Sequence, residues 1–306
     1  MTEAVHSSAS KQASKQAYLI IAHKADTVFS TLIQMLDHPK NDIFIHMDAK
    51  TKDYNPADTQ KLVKDSRIFH TRRVKVSWGG YSQVEAALIL LEAATSQGQY
   101  EHYHLLSGQD LPIKRQEEIQ AFFERNHGVE FMNFQSETFG HDEWVRYYYP
   151  LQEMIGRPRR KISRAISRVF SKIQFAIQRA IRIYRNKGVK FQKGTDWFSI
   201  TDQFARYVLS NREWIHKVFH DTFMPTEVYM HTIMVNSPFR SKLYQKEFID
   251  DHVKAVARLI DWRRGGPYTF RSSDLEEIRS SEAMFARKFD ENVDSEVVRK
   301  IQELYS

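Results

Sequence analysis

The sequence of 306 residues contains no cysteine. Disulfides and thiolate metal sites are therefore excluded, and a reducing, cytoplasmic setting is the expected one. No uninterrupted apolar run approaches the ~20 residues that a membrane-spanning helix requires. The opening MTEAVHSSASKQASKQ lacks the apolar core of a secretory signal, so residues 1–16 read as a disordered leader. Several nucleotide and hydrolase signatures are missing as well. There is no G-x-G-x-x-G, no G-x-x-x-x-G-K-[ST], no G-x-S-x-G and no H-E-x-x-H. D-x-D, the pair with which many sugar-nucleotide transferases hold a divalent metal against a diphosphate, is also absent, so in such an enzyme cationic side chains would have to neutralise the diphosphate instead. The thirteen histidines show no convincing metal-ligand spacing, and His102 and His104 on one strand read as core and rim residues.

Acidic residues are absent from one long stretch. Between Met154 and Thr195 there are thirteen Lys and Arg and no Asp or Glu. The whole chain carries +7, so removing those thirteen leaves −6 on the rest. The basic character thus belongs to one element and not to the globule. The chain as a whole is 42% hydrophobic and 13% aromatic, which supplies a sizeable core and excludes a disordered or fibrous protein.

The first half alternates strand and helix patterns. Strands are predicted at 18–22, 42–48, 67–76, 102–106 and 129–134. Helices are predicted at 27–36, 58–64, 82–95 and 117–125, with Ser82 as N-cap and Glu85 completing a capping box. In the second half the expectations are a strand at 197–200, helices at 201–209 and 226–235, a strand at 256–262 and two terminal helices. This order predicts an α/β domain with a mostly parallel sheet, in which ligands bind at the carboxyl ends of strands. Those ends carry His23, His46, Asp48, the Ser77–Gly80 turn and Ser107–Asp110.

Eight motifs stand in one order: Ala17–His23, Ile45–Asp48, Ser77-Trp-Gly-Gly-Tyr-Ser82, Leu105–Ile113, Lys193-Gly-Thr-Asp-Trp-Phe-Ser199, Pro225-Thr-Glu227, Arg258-Leu-Ile-Asp-Trp262 and Phe285-Ala-Arg-Lys-Phe289. Together they resemble the core-2/I-branching N-acetylglucosaminyltransferase family, which includes the peptide O-xylosyltransferases, in a bacterial-type member. The resemblance implies a GT-A-like nucleotide-sugar domain over 17–306, with a nucleotide-binding half at 17–135 and an acceptor and catalytic half at 136–306. It also implies an inverting, metal-independent transfer from a UDP-sugar to a glycan hydroxyl in surface or exopolysaccharide synthesis. GlcNAc is the expected sugar and xylose an alternative; the UDP-sugar is a substrate, and no cofactor is expected.

By that resemblance Glu227 is the catalytic base. The family usually has Asp-Glu where this chain has Thr226-Glu227. At the start of a helix the macrodipole would favour its carboxylate form. Arg258 and Lys288 match the cations that bind the diphosphate in place of a metal. His23, Asp48, Trp78, Gly79 and Asp110 fall at the nucleotide and donor sugar, with Trp197 on the acceptor side.

The basic segment reads as an amphipathic helix at about 159–187. Ile162, Ile166, Val169, Phe170, Ile173, Ile177, Ala180 and Tyr184 form one face; Arg164, Arg168, Lys172, Arg179 and Arg182 lie on the other. Docking on the core and lying on an anionic membrane are the two readings. The lack of any compensating acid favours the membrane, at roughly 1 kcal/mol per cation. The expected placement is peripheral, on the inner face of the cell membrane, and a lipid-linked glycan would suit it as acceptor. No aromatic stacking platform accompanies the cations, so nucleic acid is not an expected partner. A membrane-binding module with a decayed transferase site is the alternative from another class.

Overall fold

The computed structural model describes residues 15–156 and 173–306. The expected leader lies outside them except for its last two residues, as do Arg164, Arg168 and Lys172. Nine strands occur among the described residues: β1 (Gln16–Ala22), β2 (Asn41–Met47), β3 (Arg67–His70), β4 (His102–Ser107), β5 (Asp110–Pro112), β6 (Phe131–Phe134), β7 (Gly194–Thr201), β8 (Arg258–Ile260) and β9 (Phe285–Arg287). Six form a central sheet in the order β3-β2-β1-β4-β7-β6. β3, β2, β1 and β4 run parallel, while β7 is antiparallel to β4 and β6. A smaller sheet has the order β5-β9-β8.

The period of two decides which side each strand residue serves. In β1, Ala17 and Leu19 join one core cluster while Tyr18, Ile20 and Ala22 join another on the opposite face. Helices Tyr81–Gln97, Asp202–Ser210, Arg212–Phe219 and Tyr229–Val235 fill the first side. Helices Thr27–Met35, Gln116–Arg125 and Ser295–Tyr305 cover the second together with the small sheet. The observed layers agree with the predicted α/β class and mostly parallel sheet. The two halves expected around residue 135 interlock, because β7 lies between β4 and β6.

Local departures have physical causes. β3 stops at His70 because the Arg73 side chain serves the next carbonyls in place of a strand backbone, donating to the carbonyls of Met47 (3.0 Å), Asp48 (2.8 Å) and Thr51. The strand expected at 256–262 shrinks to β8. Just before it, Asp251 caps a short helix, His252–Val256, which ends on Ala257 in the left-handed region at φ 53°. The helix expected from Ser82 begins at Tyr81 with Gly80 as N-cap. Ser82 Oγ instead accepts from Ser77 N at 2.8 Å, and Glu85 pairs with Arg72 and Arg212.

Candidate active site

The strand ends meet in a ring of contacts. Asp48 N donates to the carbonyl of Ala22 at 2.8 Å, and Val76 N donates to Asp48 Oδ1 at 3.4 Å. The Ser77–Gly80 turn follows, and Met224 N donates to the Gly79 carbonyl at 3.0 Å. Met224 leads into the 3-10 turn Pro225–Glu227. Glu227 Oε2 lies 2.9 Å from Lys193 Nζ, at the start of β7. Three residues on, Asp196 feels the charges of Glu227 and Arg287. Arg287 Nη1 is 3.4 Å from Asp110 Oδ1, and Asp110 accepts from Ser107 N (3.0 Å) and Ser107 Oγ (2.7 Å). Gly108 N returns to the carbonyl of Ile21 at 3.1 Å, closing the ring at β1.

His23, Asp48, Trp78, Gly79, Asp110, Trp197 and Glu227 all belong to this ring or border it. Trp78 is 42% exposed on its turn. Gly79 has φ 70°, and a Cβ there would meet Met224 Sδ at 2.9 Å, so the turn approaches the Glu227 segment at glycine distance. His46 is the exception among the strand-end residues. It is buried, and its Nε2 accepts from Val74 N at 3.1 Å.

Glu227 has different surroundings from those expected. It closes a 3-10 turn, and the following helix begins only at Tyr229. Its positive partner is therefore the Lys193 ammonium and not an α-helix N-terminus. That ammonium also donates to Gln135 Oε1 and lies 5.2 Å from the Trp144 ring centre. Burial raises the Asp196 carboxyl to about 6, and the Glu227 charge acts in the same direction against the pull of Arg287 and Lys193. The Lys193 ammonium thus pairs with Glu227 and reaches Asp196 through its charge alone. Burial, then Lys193, keeps His141 below the usual imidazole range. Burial, then Lys24, does the same for His23.

Arg258, expected among the cations at the diphosphate, is enclosed by the fold. It is 1% exposed. Its Nη1 donates to the Val256 carbonyl (2.6 Å), and its Nη2 donates to those of Leu105 and Phe198 (3.0 Å each). Burial lowers it to about 10, although Asp110 pulls the other way. Lys288 is half-buried next to Arg287, with its backbone held by Tyr268 and Phe270.

Lys193, Asp196 and Arg287 are not singled out by the sequence, although each lies inside a motif that is. What hides them is the strand crossing that brings the start of β7 to the end of β9.

The basic helix also departs from expectation. Residues 173–180 are helical, but the helix does not reach 187. Arg182 and Asn186 are left-handed at φ 55° and 52°, and Asn186 Nδ2 donates to the carbonyls of Val145 (2.9 Å) and Val218 (3.1 Å). The inward side is polar and aromatic: Gln174 and Gln178 bond Tyr148, and Phe175 meets Tyr147 and Tyr149. Ile173, Ile177 and Ile181 point outward at 54%, 55% and 64% exposure. Arg179 pairs with Glu143, and Arg185 covers the Tyr148 ring at 4.0 Å. Among the described residues no helix is long and apolar enough to cross a membrane, and no cluster of His, Asp or Glu could hold a metal ion.

A family model described as Core-2/I-Branching enzyme matches residues 16–282. Xylosyltransferase 2 of Rattus norvegicus is 23% identical, over 92% of this chain and 32% of its own length. Xylosyltransferase 2 of Homo sapiens is also 23% identical over the same shares. The chain therefore spans about a third of the length of these relatives. Among solved structures, mouse xyloside xylosyltransferase 1 in its apo form matches 89% of this chain and 96% of its own, at 8% identity and a TM-score of 0.36.

Proposed function

The chain belongs to the Core-2/I-Branching enzyme family, and from that premise we propose that it is an inverting glycosyltransferase using a UDP-sugar donor and a glycan hydroxyl acceptor. The observation that carries this reading is the ring of strand ends closed by the Glu227–Lys193 pair. The expected sugar is GlcNAc. Similarity to proteins named xylosyltransferases favours xylose as the second reading.

In this mechanism Glu227 accepts the proton of the acceptor hydroxyl. The acceptor oxygen attacks the anomeric carbon from the face opposite UDP. The bond to the diphosphate oxygen breaks, UDP leaves with the electron pair, and an α-linked donor gives a β-linked product. Lys193 holds the carboxylate in place before the acceptor arrives. Asp196, which retains its proton up to about pH 6, limits charge repulsion on Glu227 below that pH. Lys288 stands at the edge where the diphosphate would gain negative charge, which supports a transfer without metal. Asp48 and His23 suit the nucleoside, Trp78, Gly79 and Asp110 the donor, and Trp197 the sugar-facing wall.

For the partner surface, we propose that the exposed Ile173, Ile177 and Ile181 with Arg182 and Arg179 rest on an anionic membrane. The outward turn of the isoleucines supports this over docking on the core. On the cysteine-free composition the cytoplasmic face is the proposed side.

The test is UDP release from a panel of UDP-sugars with glycan acceptors, run with EDTA. Turnover of UDP-GlcNAc or UDP-xylose unaffected by EDTA is expected. A strict Mn²⁺ requirement would overturn metal independence. Failure to bind UDP or turn over any UDP-sugar would overturn the transferase reading.

A further inference from the structure

We propose that Gln152 and Glu153 are positioning residues for the donor: they hold the Trp78–Gly79–Gly80 turn in shape, and the two glycines leave the space that these side chains fill. The inference rests on the UDP-sugar reading above and deepens it.

The helix Tyr81–Gln97 leaves the turn without a cap of its own. Gly80 is its N-cap and has no side chain to accept from the first-turn N–H groups. The Ser82 hydroxyl is engaged elsewhere, since its Oγ accepts from Ser77 N at 2.8 Å. The missing acceptor arrives from 71 positions away: Ser82 N donates to Glu153 Oε1 at 2.8 Å. A carboxylate placed there also meets the positive end of the helix dipole. The turn before it is laced to the same short helix, Gln152–Ile155. Gln152 Nε2 donates to the Trp78 carbonyl at 3.0 Å, and Ser77 Oγ donates to the Glu153 carbonyl.

This lacing accounts for the second glycine of the turn. Gly80 has φ −99°, a conformation open to any residue, so glycine is required there for space. A Cβ at Gly80 would lie 2.5 Å from Glu153 Oε1 and 2.8 Å from its carboxyl carbon. A Cβ at Gly79 would come within 3.1 Å of Gln152 Nε2. A methyl group at 80 and the Glu153 carboxylate therefore compete for one volume.

The strap is itself anchored. Gln152 N donates to the Tyr149 carbonyl at 3.0 Å, and Tyr149 N donates to the Asp221 carbonyl at 2.8 Å. The Tyr149 ring stacks on Phe223 with centres 5.4 Å apart. Met224 follows and holds the Gly79 carbonyl from the other side. The turn is thus gripped between two pieces that both rest on 221–224, the segment leading to Glu227. Losing Glu153 frees the donor side of this grip, while Glu227 keeps its own partner in Lys193. The loss should therefore fall on donor KM more than on kcat.

The shared volume makes the test a double-variant cycle. KM and kcat for UDP-GlcNAc and UDP-xylose are measured by UDP release for the wild type, Glu153→Ala, Glu153→Gln, Gly80→Ala and the Gly80→Ala, Glu153→Ala pair. Glu153→Ala is expected to raise donor KM at least fivefold, with kcat falling no more than threefold. Glu153→Gln keeps an acceptor for Ser82 N and should raise KM less than half as much. Gly80→Ala expels the carboxylate and should match Glu153→Ala. The pair should be no worse than either single variant, because both remove one interaction. Losses that multiply in the pair, or an unchanged donor KM in Glu153→Ala, overturn the assignment. Where Glu153→Ala does not fold, an unchanged KM in Gly80→Ala overturns it equally. A wild type that releases UDP from no donor overturns the donor reading itself, a distinct outcome.

Discussion

Among single residues, Asp196 is the most informative. Burial beside Glu227 raises its carboxyl to about 6 from an ordinary 3.8. A carboxyl with a raised folded pKa favours the fold while protonated, and that contribution is lost as pH climbs through about 6. Asp196→Asn removes the penalty. Relative to wild type, the variant should gain roughly 1–3 kcal/mol of stability between pH 4.5 and pH 7.5, at 1.36 kcal/mol per unit. Urea unfolding at the two pH values measures this, and a difference independent of pH would contradict it. Sequence does not expose Asp196, because its character comes from burial and from a second carboxyl 31 positions away. A motif marks Glu227, but nothing local marks Lys193 as its partner. Arg258 shows the reverse case: its motif is legible, yet its burial depends on where β4 and β7 separate.

At the scale of elements, β7 carries the site and depends on one glycine. A Cβ on Gly194 would fall well inside 3.0 Å of both the Asn133 carbonyl oxygen and His231 Nε2. Gly194 pairs with Phe134 just past a register shift in β6. Backbone and a buried ring crowd this position, so Gly194→Ala should destabilise the protein by at least about 2 kcal/mol. An unaltered unfolding midpoint would contradict that account. Strands buried on both faces, such as β1 and β2, are readable from short apolar runs. The length of the short β8 is not, because the left-handed Ala257 interrupts what reads as one strand at 256–262. The basic helix is readable as amphipathic, but its inward side is not. Gln174 and Gln178 turn inward because they meet the Tyr148 backbone, which leaves the isoleucines outside. Ile173→Ser with Ile177→Ser should therefore leave thermal stability within about 0.5 kcal/mol per site. The same pair of changes should weaken cosedimentation with phosphatidylglycerol vesicles at least about fivefold. Equal binding by the double variant, or none by wild type at low salt, would contradict a lipid-facing role.

At the scale of the whole molecule, the +7 net charge conceals a mildly acidic globule with one basic element. The fold gathers distant positions, 22–23 and 48, 76–80 and 107–110, 193–197 and 224–227, and 285–288, at one end of the central sheet. A parallel sheet places its carboxyl ends together, which is why the general location of the site can be read from strand order alone. The closure of the ring cannot be read that way, because β7 enters antiparallel from the second half and delivers its first residues, not its last. Transfer by this closed ring with Glu227 as base is tested most directly by measuring UDP release and UDP affinity for the wild type and Glu227→Gln. Turnover is predicted to fall at least about 100-fold, with UDP affinity within threefold of wild type. A Glu227→Gln protein that turns over normally, or a wild type that binds UDP but transfers no sugar, would contradict it.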